Sequence, residues 1–94
     1  MSLALDLRAA AKRKLSTLPE TEASAIWHAL QRLPAAFGRP HAHAGLGIRQ
    51  LRSGLWEGRS GLHWRFLFRR EGDWLVVVVL GTHADVSRYL RNVR

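Results

Sequence analysis

The sequence contains no cysteine, which excludes disulfides, thiolate metal sites and thiol nucleophiles. It has no long apolar run. The longest, Trp74 to Leu80, is far below the roughly 20 residues a helix needs to cross a bilayer. Acidic side chains are scarce, seven against fifteen lysines and arginines. Internal repeats and low-complexity tracts are absent. Met1-Ser2 leads straight into a segment carrying Asp6 and Arg8, not into an apolar h-region with a small-residue cleavage site. A cytoplasmic location without membrane contact is the expectation.

What is present fits one domain, residues 1–94, because a second core would have nothing to fill it. With 47% hydrophobic and 23% charged residues, the chain is expected to fold. Its net charge is +8, and arginine supplies nearly all of the positive side. Arginine is a flat, permanently charged fork that grips phosphate through two hydrogen bonds. Nucleic acid, an acidic protein, or both are the expected partners. Arginine-rich codon usage is the bland alternative.

Helical spacing comes first. Residues 3–7 read as a short strand or a helix entry. Leu7, Ala11, Leu15 and Leu18 share a helical face that Pro19 ends. Thr21 and Glu22 open a second helix, with Glu20 near its N-terminal dipole, and Ala23, Ile26, Trp27, Leu30 and Leu33 form its stripe. Pro34 is expected to stop it. Pro34, Gly38, Pro40, Gly45 and Gly47 punctuate a loop. The period then changes to two, giving strands opened by Ile48 and Leu51, over Leu55 to Arg59, over His63 to Arg70 and over Trp74 to Leu80, with Ser53-Gly54, Ser60-Gly61 and Glu71-Gly72-Asp73 as turns. Ala84 to Val93 reads as a last short helix. The fold class is α+β: an N-terminal helical hairpin on one face of a small, mostly antiparallel sheet, with the C-terminal helix partly shielding the other face.

Alternation places candidate chemistry on that second face. Glu57 and Arg59 point the same way. Arg65 faces opposite to Trp64, Phe66 and Phe68. His83 continues the odd parity of Leu75, Val77, Val79 and Gly81. A register that joins them gathers a carboxylate, two guanidiniums and an imidazole. Such a group suits phosphodiester transfer in RNA: Glu57 or His83 as base, His83 as acid, Arg59 and Arg65 holding the pentacoordinate phosphorane. The plainer alternative is a Glu57–Arg65 cross-strand salt bridge beside an exposed turn histidine.

Arg49, Arg52, Arg88 and Arg91 extend the basic surface. Tyr89 packs its helix or stacks a base. Trp27, Trp64 and Trp74 read as core, and Trp56 as a possible stacking surface. His41 and His43 make only half of a zinc site, so no metal is expected there. The run Lys12-Arg13-Lys14 is a solvated helix face or a phosphate patch.

In this order, Ile48-Arg49-Gln50-Leu51, Leu55-Trp56-Glu57-Gly58-Arg59, Trp64-Arg65-Phe66-Leu67-Phe68 and the apolar strand ending in Gly81-Thr82-His83 resemble the RelE/ParE superfamily of toxins from type II toxin–antitoxin systems. The resemblance spans nearly the whole chain and rests on order and spacing. It implies a microbial-RNase-like α+β fold, and mRNA cleavage on the ribosome that inhibits translation and uses no metal or other cofactor. It also implies a cognate antitoxin that wraps the toxin. By position, Arg65 matches an arginine on the scissile phosphate, and His83 a histidine acting as general acid. Glu57 and Arg59 match catalytic or substrate-binding strand positions. Tyr89 stands for a C-terminal aromatic, at a different spacing. The lysine pair of some RelE proteins has no counterpart. The superfamily's ParE-type toxins, which act on DNA gyrase, supply the alternative, together with a catalytically inactive basic binding domain.

Overall fold

Period-two patterning becomes an antiparallel meander in the computed structural model, which describes residues 3–39 and 45–92. The elements run β1 (Ala4–Leu7), α1 (Ala9–Ser16), α2 (Glu20–Ala36), β2 (Arg49–Arg52), β3 (Leu55–Ser60), β4 (Trp64–Glu71), β5 (Trp74–Gly81) and α3 (His83–Asn92). They form one five-stranded sheet in the order β1-β5-β4-β3-β2. Strands β2 to β5 pair antiparallel with their neighbours. The first segment is a strand and not a helix entry: β1 lies parallel to β5, with Leu7 opposite Val77. The architecture is therefore α+β. His41 and His43 lie outside the described residues.

Helices α1 and α2 cover one face. Ala11, Ile26, Leu30 and Leu33 pack there on Phe66, Phe68, Leu75 and Val77, all fully enclosed. Complete burial of the leucine, isoleucine, valine and phenylalanine side chains among them stabilises the fold by roughly 1.5–3 kcal/mol each. The second face carries a smaller cluster, Leu55, Leu67 and Val86, joined by Val78, Val79, Tyr89 and Leu90. Val86, Tyr89 and Leu90 bring α3 onto this face, so the sheet is sandwiched only in part.

Several sequence expectations need correction. Pro34 does not stop α2; the helix runs on to Ala36. A proline there forfeits one hydrogen bond to the preceding turn. The last turn is held nonetheless by the buried Ala36 and by the Phe37 N–H donating to the Leu33 carbonyl at 2.9 Å. Trp27 and Trp74 are not core but exposed, at 42% and 50%. Trp56 is no stacking platform, because its ring meets Phe37 edge-on at 5.0 Å and lies against Phe68 at 6.3 Å. Its even parity puts it with Phe66 and Phe68.

Odd parity also fails along β5. The ladder shifts between Leu67 and Phe68, which pair with Val79 and Val77, leaving Val78 as an extra residue. Val78 and Val79 consequently both pack on the α3 side, while Leu75 and Val77 face the helical pair. Such a bulge bends its strand and sharpens the local twist.

One close approach shapes the sheet beside the site. Gly58 lies opposite Phe66 in the β3–β4 register, and a Cβ at Gly58 would sit 2.5 Å from the Phe66 ring. The ring occupies the space that glycine leaves. Gly58→Ala is expected to cost about 1–3 kcal/mol through overpacking, read as a lower urea midpoint with an unchanged slope.

Candidate functional site

Glu57 is the only charged residue buried among the described residues, at 4% exposure. An ionised carboxylate is expensive to bury unless it is paired. The β2–β3 register puts Arg49 directly opposite it, and Arg49 Nε donates to Glu57 Oε1 at 3.1 Å. From the other side Arg65 NH1 donates to the same oxygen at 3.4 Å. Arg65 is two residues from Leu67, the direct partner of Glu57, so the contact is diagonal. One buried oxygen thus clasps arginines from both flanking strands.

Arg59 stands directly opposite Arg65. Like charges so placed repel, and they persist because Glu57 lies beside them. The loop before β2 fixes Arg59: its N–H donates to the Leu46 carbonyl at 2.7 Å, and Gly47 leaves room for its side chain. A Cβ at Gly47 would fall 2.6 Å from Arg59 Nε, and the residue has φ +55°. Among the described residues Arg59 makes no side-chain hydrogen bond or ion pair.

Gly47, Arg49, Glu57, Arg59 and Arg65 line a hollow of about 330 Å³. Its three guanidiniums outnumber its one carboxylate. Arg65 Nε is buried with no hydrogen-bond partner among the described residues, and a buried unpaired donor costs free energy unless a ligand or water meets it. The arrangement can hold a doubly charged oxyanion group. Among the described residues no cluster of three or more histidine, aspartate or glutamate side chains is placed to hold a metal ion.

The remaining candidates divide. His83 opens α3 two residues beyond Gly81, which pairs with Arg65. It is exposed and stands at the end of the sheet where β4 begins. Arg52 turns toward the Leu90 carbonyl of α3. Arg88 pairs with Asp85 at 3.2 Å, and Tyr89 packs in the smaller cluster. The structure thus brings Arg49, Glu57, Arg59 and Arg65 together, and does not add Arg52, Arg88 or Tyr89 to them; His83 stands at the neighbouring β5–α3 joint and does not line the hollow. Sequence reasoning grouped Arg49 with the peripheral arginines because its tie to Glu57 depends on strand register. It also missed Gly47.

Glu57→Ala would leave Arg49 and Arg65 without their shared anchor. Arg49 is well exposed and Arg65 only 22% so, so solvent screens part of the loss. A destabilisation of about 1–3 kcal/mol is expected, smaller for Glu57→Gln, as measured by urea unfolding.

No family model matches the sequence, and no curated protein sequence matches it. Solved structures do. The toxin–antitoxin complex RelBE2 of Mycobacterium tuberculosis is 19% identical over 88% of this chain and 100% of that chain, with a TM-score of 0.69. A doubly substituted Escherichia coli toxin RelE in the free state is 15% identical over the whole of both chains, with a TM-score of 0.67. The archaeal RelE–RelB complex of Pyrococcus horikoshii is 12% identical over 87% of this chain and 96% of that one, with a TM-score of 0.64. At such identities the likeness is one of fold.

Proposed function

We propose that this chain, which has the RelE-type toxin fold, is the toxin of a type II toxin–antitoxin module and an endoribonuclease that inhibits translation by cleaving mRNA, in association with the ribosome. The observation that carries this reading is the arginine-lined hollow, whose Arg65 keeps a buried Nε with no hydrogen-bond partner among the described residues. Two of the structures similar in fold are toxin–antitoxin complexes, and a cognate antitoxin is the protein partner we assign. No helix of the described residues is long and apolar enough to cross a membrane.

In the proposed reaction the 2′-oxygen attacks the adjacent phosphorus and the bond from phosphorus to the 5′-oxygen breaks. The products are a 2′,3′-cyclic phosphate and a 5′-hydroxyl. Arg59 and Arg65 hold the phosphorane as its charge grows, which is where fixed cations contribute most. Arg49 flanks the same anion. Glu57 has Oε1 occupied by two guanidiniums, so it serves by holding the arginines rather than as a free base. His83 handles the proton, accepting it from the 2′-hydroxyl or returning it to the 5′-oxygen. No metal or other cofactor enters this scheme.

The clasped state of Glu57 also favours a second reading, a basic binding domain without chemistry, such as a ParE-like gyrase inhibitor. Purified protein separates the two. Ribosome-bound transcripts cut at defined positions, without inhibition of supercoiling by gyrase, is the expected result. Inhibited supercoiling with intact transcripts would replace the first reading by the second.

A further inference from the structure

The placement of His83 relative to Arg65 passes through a single joint. Gly81 is the β5 partner of Arg65, Thr82 follows, and His83 begins α3. We propose that Asp85 is a positioning residue which, with Thr82 and the side-chain-free Gly81, sets the bearing of the His83 imidazole at the β5–α3 joint, two residues beyond the partner of Arg65. The inference rests on the ribonuclease reading and adds to it a residue that does not line the hollow.

The joint is locked from both sides. The Thr82 backbone N–H donates to Asp85 Oδ2 at 2.9 Å, and the Thr82 hydroxyl donates to the same oxygen at 3.1 Å. In return the Asp85 N–H donates to Thr82 Oγ1 at 3.3 Å. This reciprocal capping box satisfies donors that a helix start otherwise leaves orphaned. The other carboxylate oxygen takes Arg88 NH1 at 3.2 Å. Chiefly the Thr82 backbone N–H, helped by its hydroxyl and by Arg88, holds the Asp85 carboxyl below its ordinary range, so the clasp is charged at neutral pH.

Gly81 makes the clasp possible. A Cβ there would lie 2.6 Å from both the Cβ and Oδ2 of Asp85. The first turn of α3 is therefore pressed onto the backbone of the residue that pairs with Arg65. Further along, Val86 is buried on the sheet and its N–H donates to the Thr82 carbonyl at 3.0 Å. With its first turn fixed by these contacts, α3 has little freedom to roll there, and its first residue keeps one bearing.

A helix cap with no further role would lower stability and leave turnover by the folded protein intact. Positioning predicts a split. For Asp85→Ala and Thr82→Val, assayed below their unfolding transitions, kcat should fall about 10- to 100-fold while KM stays within about two-fold. Thr82→Ser keeps the hydroxyl and should stay near wild type. Placed in a His83→Ala background, Asp85→Ala should cost nothing further. As a readout without turnover, an uncleavable 2′-deoxy oligonucleotide should shift the His83 ring signals in the wild type, and lose that effect in Asp85→Ala.

Equal losses with and without His83, or unchanged kcat in both disrupted variants, would overturn the positioning role and leave the ribonuclease reading standing. A wild type whose His83 signals ignore the oligonucleotide, and which cleaves as well after His83→Ala, would instead remove the site assignment and the positioning role with it.

Discussion

Arg65→Ala is expected to slow RNA cleavage about 10²–10³-fold, the usual effect of removing one fixed group that stabilises charge in a transition state. Arg65 comes from the middle strand, packs NH1 on the buried Glu57 and keeps Nε unpaired. It is the least exposed cation of the hollow. The substitution should also cost about 1–3 kcal/mol of stability, since Glu57 is left with one exposed partner. Arg65→Lys keeps the charge but loses the fork, and its rate should fall between. Single-turnover cleavage of end-labelled RNA, run beside urea unfolding, separates the two effects. A folded Arg65→Ala protein that cleaves at the wild-type rate would show that the hollow is not where the phosphate reacts.

His83→Ala carries the other large effect, a loss of about 10²–10⁴-fold, the range of general acid–base catalysis. Its stability should change by no more than about 0.5 kcal/mol, because the side chain is exposed. The leaving group gives the sharper test. A substrate with sulfur in place of the 5′-bridging oxygen departs as a thiolate and has little need of an acid. Wild type and His83→Ala should cleave it at similar rates if the imidazole protonates the 5′-oxygen, whereas Arg65→Ala should stay impaired. A His83→Ala defect of the same size on both substrates would assign the imidazole to the 2′-hydroxyl.

Much of this arrangement is legible in the amino-acid order. The shift from helical spacing to alternation near residue 48 separates the helical layer from the meander. Within β4, the alternation of Trp64, Phe66 and Phe68 against Arg65 and Leu67 reads correctly, because a strand paired on both sides has no freedom to slip its faces. Thr82 and Asp85, at capping-box spacing before an amphipathic run, also mark the α3 boundary, so a start at Ala84 is one residue late. Other features belong to pairing rather than composition. The burial of Glu57 follows from Arg49 and Arg65 arriving on either side of it, and no local pattern announces that. The apolar content of Trp27 and Trp74 says nothing of their place at the rim. The extra residue at Val78 is invisible among four consecutive valines.

That valine bears on the coil of the whole sheet. Removing it would close the ladder between Val77 and Val79 while each neighbouring side chain kept its present side. What the sheet would lose is coil: a flatter ribbon, with β4 and β3 winding less around β5. The coil of the sheet that carries the four clustered side chains thus depends in part on an uncharged residue of the strand next to β4.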